Sequence, residues 1–253
     1  MVYFIGAGPG DPELLTMKGK KLIDQADIII YAGSLVNPAL FAEILPSCVI
    51  YDSSGLNLDE VLSIMRDAYV ENKTVARVHT GDPAIYGAIR EQMDALKKFG
   101  IPYEVIPGVS SFSAAAAALQ IEYTLPDVSQ SLILTRAAGR TSVPERENIR
   151  SFASHQATMV IFLSVHMLDK LTDELIAGGY KPATPAAVVY RASWPDQKIV
   201  RGTLCDISEQ VAQAGISRMA LVIVGQVLGD DYSLSKLYDK NFTHGWRQGS
   251  EDV

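Results

Sequence analysis

The sequence is poor in cysteine, and this scarcity excludes several classes of protein. Only two cysteines, Cys48 and Cys205, occur among the 253 residues. Two thiols cannot form the dense disulfide framework of a small secreted domain, and neither lies in a CxxC motif or in a Cys/His spacing that binds a metal. Both occur in apolar or mixed stretches, so we expect buried free thiols and no metal site.

An excess of basic residues and long hydrophobic runs are also absent. Lys and Arg number 22 against 29 Asp and Glu, which gives a net charge of −7 and a pI near 5.1. Nucleic-acid-binding proteins usually carry a basic excess, although a local basic cluster still permits an anionic small molecule. No uninterrupted apolar run approaches the roughly 18 residues of a membrane span, and the N-terminus lacks a basic signal-peptide region. We therefore expect a cytoplasmic protein that binds neither membrane nor nucleic acid.

What the first half of the sequence does contain is a repeated strand-and-helix pattern. Apolar residues make up 48% of the chain, enough for a sizeable core in one large domain or two small ones. Helices are predicted from apolar residues at helical spacing over 58–69, with Asn57 placed as a cap, and over 85–96. Strands are predicted at 2–5, 28–31 and 75–78. The alternation predicts an α/β fold with a parallel sheet covered by helices on both faces.

The pattern changes after the alanine run at residues 114–118. The segment 121–130 has no clear periodicity, so we interpret it as a linker between two α/β domains, 1–122 and 123–253. In the second domain the segment Trp194-Pro195-Asp196 lies between two β-rich arms, which predicts an antiparallel hairpin. Further strands are predicted at 132–135, 158–163, 186–190 and 220–224. We therefore expect a mixed sheet in the second domain and a polar tail after it.

The loop Gly6-Ala7-Gly8-Pro9-Gly10-Asp11 follows the first predicted strand. It is similar to a dinucleotide-binding fingerprint, but its spacing is GxGxG instead of GxGxxG. Pro9 removes a backbone N–H that a phosphate cradle would use. No acidic residue ends the second strand, where a ribose-binding carboxylate belongs, because Asp27 starts that strand. A tight strand-to-helix turn and a ligand-binding loop both remain open from these residues alone.

Two further loops also follow predicted strands. Asp82, in the loop 79–87, is placed either to bind a ligand at the carboxyl end of a parallel strand or to cap the next helix. In the loop 107–113, Ser110 and Ser111 are candidates to cap the alanine-rich helix, whose N–H groups can also hold a ligand carboxylate. Three such loops on one sheet edge favour a ligand site over three unrelated turns.

The motifs GAGPGDPELLT, TGDPAIYG and PGVSS, in this order, resemble those of the tetrapyrrole methylases. Enzymes of that family move a methyl group from S-adenosylmethionine to a macrocyclic tetrapyrrole. Three further stretches are similar to members that act in cobalamin biosynthesis: YAGSLV at 31–36, which includes Ser34, RASWPD at 191–196, and a tail with SKLYD at 235–239 and FTH at 242–244. Gln197 departs from a stretch that is often acidic in the family.

The resemblance implies a tetrapyrrole-methylase fold of two α/β domains, a homodimer, and S-adenosylmethionine held in a trough between domains, with S-adenosylhomocysteine as product. The tetrapyrrole is the implied small-molecule partner. Carried over by motif, the cofactor contacts are Pro9, Thr80, Gly81, Asp82, Ile85, Ser110, Ser111, Leu163, Ala192 and Ala220.

The methyl transfer that the resemblance implies requires little acid or base catalysis. Methyl transfer from a sulfonium needs an electron-rich carbon aligned with the methyl group, and neither a metal nor a covalent nucleophile is required. Asp11 and Asp82 are the best acids if a proton must leave the substrate, and the sequence leaves open whether either one is catalytic or positioning. A substrate with several carboxylates favours arginine partners, although each arginine is also interpretable as a solvated surface charge. The candidates are Arg77, Arg90, Arg136, Arg140 and Arg191.

Two other classes of function remain as alternatives to the methyltransferase. A nicotinamide-dependent oxidoreductase would use GAGPG as its dinucleotide loop, and a non-catalytic module would bind ligands without turnover. Within the family, a methylase acting at another ring position is the nearest alternative.

Overall fold

The computed structural model describes residues 1–33 and 35–250, so Ser34 of the YAGSLV motif lies outside the described residues. The chain forms two compact units. The first unit contains residues 1–118 together with 191–197, and the second contains residues 119–190 and the chain from 198 onward. The division at residues 122 and 123 made from the sequence stays a prediction.

The first unit is built on a five-stranded sheet in the order β3-β2-β4-β1-β5. All of its strand pairs are parallel, which confirms the predicted parallel sheet. Its strands are β1 Val2–Gly6, β2 Ile28–Tyr31, β3 Val49–Asp52, β4 Val75–His79 and β5 Tyr103–Ile106. Its helices are α1 Met17–Asp24, α2 Leu58–Val70, α3 Arg90–Lys98 and α4 Ser111–Leu119.

Helices cover both faces of this sheet because alternate residues of each strand point to opposite sides. Phe4 of β1 packs in one core cluster with residues of α2 and α3, such as Met65 and Leu96. Ile5, the next residue, packs in a second cluster with Ile23 of α1. Two apolar layers therefore hold the sheet between helices, as predicted from the strand-and-helix alternation.

The start of α2 agrees with the sequence prediction, and the start of α3 does not. Asn57 caps α2 by accepting a hydrogen bond from the backbone N–H of Glu60 at 3.1 Å, and the Glu60 side chain accepts from the Asn57 N–H at 2.8 Å. The predicted helix over 85–96 begins only at Arg90. Left-handed backbone at Tyr86 (φ 56°) and Ala88 (φ 49°) interrupts the helical path there,.

The second unit contains a mixed five-stranded sheet in the order β6-β7-β10-β8-β9. β6 and β7 are parallel, whereas β10 is antiparallel to β7 and β8. β8 and β9 form the predicted antiparallel hairpin, in which Tyr190 pairs with Lys198. The strands are β6 Leu132–Arg136, β7 Thr158–Phe162, β8 Pro185–Tyr190, β9 Lys198–Thr203 and β10 Ala220–Val224, and the helices are α5 Ile149–Ala153, α6 Leu168–Ala177 and α7 Ile207–Gln213.

The two thiols are free, as predicted, but they are less buried than predicted. Cys48 is half-buried and Cys205 is exposed. The mixed sequence context of Cys205 predicts burial, but the residue lies in the turn between β9 and α7, where its side chain reaches solvent. Among the described residues, no helix is long and apolar enough to cross a membrane.

Candidate functional site

The three glycine-bearing loops meet at one edge of the first sheet. They follow β4, β1 and β5, which are neighbours in the sheet, so their carboxyl ends lie side by side. The backbones are in direct contact: a Cβ atom built on Gly6 would lie 2.5 Å from the Cα of Gly108, and one built on Gly108 would lie 2.2 Å from the carbonyl oxygen of Gly81. Glycine is therefore required for this close approach.

Hydrogen bonds between backbone groups hold the loops after β1 and β4 together. The N–H of Gly8 donates to the carbonyl of Gly81 at 3.2 Å, and the N–H of Gly81 donates to the carbonyl of Gly8 at 2.8 Å. Gly81 has φ +62°, and a Cβ on it would lie 3.5 Å from the backbone nitrogen of Ser111, the first residue of α4. The loop after β4 thus lies against the N-terminus of α4, where a helix dipole favours negative charge.

Asp82 accepts backbone hydrogen bonds on both of its carboxylate oxygens, and one of these bonds joins two of the loops. Oδ1 accepts a hydrogen bond from the N–H of Ala84 at 2.8 Å, and Oδ2 accepts from the N–H of Gly108 at 2.9 Å. The first bond is the capping interaction expected of a turn, and the second spans 26 residues of sequence. Asp82 therefore positions backbone in this site.

Asp11 also acts on backbone. Its Oδ1 atom accepts a hydrogen bond from the N–H of Glu13 at 2.9 Å and so caps a short 3-10 helix, Pro12–Leu14. The N–H of Asp11 donates to the side-chain oxygen of Ser193 at 3.0 Å. Both contacts fix the end of the first glycine loop.

The first unit contains most of the predicted cofactor contacts. They differ in exposure: Pro9, Gly81, Ser110 and Ala192 are buried, Asp82, Ile85 and Ser111 are half-buried, and Thr80 is exposed. All except Ala192 lie on the three loops. The chain between β8 and β9 carries Ala192 to the same unit, although it is more than 80 residues further along the sequence than Ser111.

Leu163 and Ala220 lie in the second unit, at one end of two paired strands. The register that pairs Ile161 of β7 with Val222 of β10 places Leu163 opposite Ala220. Leu163 is 64% exposed and has φ 55°. An exposed leucine in left-handed backbone is strained, and such strain is often found at ligand sites.

The sequence does not predict that residues 191–197 pack against the first glycine loop. The indole N–H of Trp194 donates to the carbonyl of Pro9 at 2.9 Å. A Cβ on Gly10 would lie 2.0 Å from Cδ1 of Trp194, so only glycine leaves room for the ring. The motif RASWPD identified this stretch, but no periodicity in it indicates which loop it contacts.

Arg77 and His79 form a buried polar group beneath the loop after β4. Arg77 donates hydrogen bonds to Gln92 Oε1 at 3.2 Å, to the Ile30 carbonyl at 3.3 Å and to Ser53 Oγ at 3.0 Å. Burial lowers the pKa of Arg77 to about 10. Burial, with the nearby charge of Arg77, lowers the pKa of His79 to about 3. His79 is therefore neutral at physiological pH, and Arg77 is held by interior groups of the first unit.

The other candidate arginines differ in their surroundings. Arg90 is exposed and pairs with Asp94 at 2.9 Å. Arg136 donates to carbonyl groups of its own following loop, at Ala137, Thr141 and Ser142. Arg140 is exposed. Arg191 pairs with Asp196 and lies over the ring of Trp194.

Comparison with known proteins identifies the family. The model of the tetrapyrrole (corrin/porphyrin) methylases matches residues 1–208. The cobalt-precorrin-4 C(11)-methyltransferase of Methanocaldococcus jannaschii is 58% identical over 248 residues, which cover 98% of this chain and 96% of that protein.

Two solved structures are similar to this chain along most of its length. The X-ray structure of a cobalamin biosynthetic enzyme, cobalt precorrin-4 methyltransferase, matches with a TM-score of 0.88 at 48% identity and covers 90% of this chain and 96% of that one. The uroporphyrin-III C-methyltransferase of Thermus thermophilus, solved with S-adenosyl homocysteine, matches with a TM-score of 0.75 at 29% identity, covering 90% of this chain and 98% of that one. The chain therefore belongs to the tetrapyrrole (corrin/porphyrin) methylase family.

Proposed function

We propose that this protein is an S-adenosylmethionine-dependent methyltransferase that methylates C-11 of precorrin-4 or of its cobalt complex, in cobalamin biosynthesis. The observation that carries the proposal is the 58% identity, over 98% of the chain, to a cobalt-precorrin-4 C(11)-methyltransferase. The family motifs are also the loops that meet at the edge of the first sheet. S-adenosylhomocysteine is the second product.

The glycine cluster suits a cofactor that is held by backbone. Gly6 and Gly108 allow the backbones of the loops after β1, β4 and β5 to approach one another closely, because a Cβ on either residue would lie 2.5 Å or less from a backbone atom of a neighbouring loop,. We assign Pro9, Thr80, Gly81, Asp82, Ile85, Ser110, Ser111 and Ala192 of the first unit, and Leu163 and Ala220 of the second, as cofactor contacts.

When bound, S-adenosylmethionine supplies an electrophilic methyl group on its sulfonium sulfur, and after the transfer this sulfur is a neutral thioether. The protein then has to hold the methyl group in line with the ring carbon and keep water away. Orientation of this kind is able to supply about 7–11 kcal/mol of a reaction barrier. Asp82 contributes by holding the loops after β4 and β5 at fixed positions. Asp11 does the same for the loop after β1.

The proposal is tested with purified protein, methyl-labelled S-adenosylmethionine, and three separate substrates. We expect one methyl group per macrocycle on precorrin-4 or cobalt-precorrin-4, located at C-11 by carbon NMR, and no transfer to uroporphyrinogen III. The preferred substrate of the first two decides whether cobalt precedes methylation. Transfer to uroporphyrinogen III alone would assign the protein to a sibling reaction. Calorimetry with S-adenosylhomocysteine and with NAD completes the test, because tight NAD binding would contradict the methyltransferase assignment.

We also propose that the protein is a cytoplasmic homodimer, as the family resemblance implies. Sedimentation equilibrium of the purified protein should give about twice the 27.5 kDa mass of one chain. A mass of one chain across the micromolar range contradicts the dimer and leaves the methyltransferase proposal unaffected.

A further inference from the structure

The stretch 191–197, which we call the Trp194 turn, connects β8 to β9 and packs within the first unit. Its contacts fall on the three residues that end the first glycine loop. Trp194 donates its indole N–H to the carbonyl of Pro9, its ring covers Gly10, and Ser193 accepts a hydrogen bond from the N–H of Asp11. Each of three consecutive residues thus has a partner on the turn.

The glycine loop is held from a second direction as well. Asn37 donates its side-chain N–H to the carbonyl of Gly10 at 2.8 Å. The carbonyls of Pro9 and Gly10 therefore have separate donors, Trp194 and Asn37. Since these bonds set the direction of both peptide groups, the loop conformation depends on the Trp194 turn at Pro9 and on Asn37 at Gly10.

The Trp194 turn is itself held in one conformation. The guanidinium carbon of Arg191 lies 3.9 Å from the centroid of the Trp194 ring, and Arg191 also pairs with Asp196. The N–H of Ser193 donates to the Gln197 side-chain oxygen at 2.8 Å. Arg191 and Ser193 have left-handed backbone, with φ 46° and 67°. Non-glycine residues keep such backbone only where surrounding contacts enforce it.

We propose that Trp194 is a positioning residue for the cofactor site, which holds Pro9 and Ala192 in their binding positions before S-adenosylmethionine arrives. The inference rests on the proposed function, because both residues are assigned there as cofactor contacts. Trp194 bonds directly to Pro9, and the left-handed residues on either side of Ala192 belong to the same turn. A site ordered in advance loses less conformational entropy when a ligand binds. The role of Trp194 is therefore in affinity for the cofactor.

The test compares Trp194→Phe with Trp246→Phe. Phenylalanine keeps an aromatic ring but has no N–H for the Pro9 carbonyl. Trp246, the other tryptophan, is 97% exposed and serves as the matched control. We expect Trp194→Phe to raise the Kd for S-adenosylhomocysteine and the KM for S-adenosylmethionine about five- to tenfold, as the loss of one hydrogen bond allows. The KM for the tetrapyrrole and kcat at saturation should stay unchanged, and Trp246→Phe should match the wild type.

Gly10→Ala tests the same relationship from the other side. The added Cβ displaces the indole, so this variant should also weaken S-adenosylhomocysteine binding. Gly100→Ala is the matched control, since Gly100, like Gly10 (φ +157°), has a positive φ (+69°) and a Cβ there meets nothing within 4 Å.

The outcomes separate this inference from the proposed function. Wild-type protein that does not bind S-adenosylhomocysteine contradicts both. If the wild type binds it, unchanged affinity in Trp194→Phe and Gly10→Ala overturns only the role of Trp194. A fall in kcat together with a rise in the KM of both substrates also overturns it, because that result indicates general damage to the fold.

Discussion

The carboxylate of Asp82 accepts a hydrogen bond from the backbone N–H of Gly108 and thereby connects the loops after β4 and β5. Its other oxygen caps the turn at Ala84. A residue that is a candidate proton acceptor by its type is thus occupied on both oxygens by backbone donors. The structure favours a positioning role for Asp82 over a proton-transfer role.

Asp82→Asn should lower the free energy of unfolding by about 1–2 kcal/mol, because an amide nitrogen cannot accept the second backbone hydrogen bond. Urea denaturation measures this loss. Asp94→Asn is the control, since Asp94 pairs with Arg90 on the surface, and exposed pairs contribute little. A fall in kcat of about a thousandfold at saturating substrates, without loss of stability, would contradict the positioning role and indicate a proton acceptor.

Gly108→Ala should destabilise the first unit by about 3 kcal/mol, because the new Cβ would lie 2.2 Å from the carbonyl oxygen of Gly81,. Backbone atoms of a central loop cannot move aside as a flexible side chain does. Thermal or urea unfolding measures the effect, with Gly245→Ala as the control because a Cβ there meets nothing within 4 Å. Equal stability of the two variants would show that the loops are not in close contact.

His79 should make the protein less stable as the pH falls. Its pKa is lowered in the folded state to about 3 from 6.5, so between these values the unfolded chain binds the extra proton. The folded state therefore loses stability as pH falls from about 6.5, by up to about 1.4 kcal/mol per pH unit from this one group. His79→Leu removes that component.

Unfolding free energies of the wild type and His79→Leu at pH 7, 6 and 5 test this prediction. The difference between the two proteins should shift in favour of the variant as the pH falls. Gly55→Ala, which changes no titratable group and adds a Cβ that meets nothing within 4 Å, is the control and should leave the pH dependence as in the wild type. Parallel curves for wild type and His79→Leu would show that His79 is not held neutral.

Leu163→Gly should stabilise the second unit while it weakens cofactor binding. Left-handed backbone destabilises the folded state of a non-glycine residue by about 1–2 kcal/mol. Glycine removes this strain, but its greater freedom in the unfolded chain lowers stability by about 0.4–1 kcal/mol. A net gain of about 0.5 kcal/mol is expected from urea denaturation. The assigned contact of Leu163 with S-adenosylmethionine is lost in the same variant.

Gln120→Gly is the control for Leu163→Gly, since Gln120 is exposed and has φ 56° but belongs to no proposed contact set. It should gain stability with unchanged Kd for S-adenosylhomocysteine. An unchanged Kd in Leu163→Gly would remove Leu163 from the site. A loss of stability in both variants would contradict the strain argument.

Local sequence patterns predict the buried strands well. The apolar runs at β1, β2, β4, β7 and β10 match elements that the structure contains, because a strand covered on both faces must be apolar throughout. The same patterns do not predict β3, whose four residues are all exposed at the sheet edge. Periodicity also places the start of α3 five residues too early, since left-handed backbone at Tyr86 leaves no mark in the apolar spacing.

The site divides in the same way between local and long-range information. The motifs contain the glycines and Asp82, and strand order is enough to bring their loops to one edge of a sheet. The motifs do not indicate which residues form hydrogen bonds with one another. Asp82 bonds to Gly108, 26 residues away in sequence, and Trp194 bonds to Pro9, 185 residues away.

Composition, apolar spacing and motif order were thus sufficient for the α/β class, the parallel and mixed sheets, and the family, because each depends on chemistry that is local in the chain. The tertiary structure alone showed that Asp82 holds backbone, that Arg77 lies in the interior, and that Trp194 covers Gly10. These relationships depend on strand register and on the path of the β8–β9 connection. Neither is specified by residues that are neighbours in sequence.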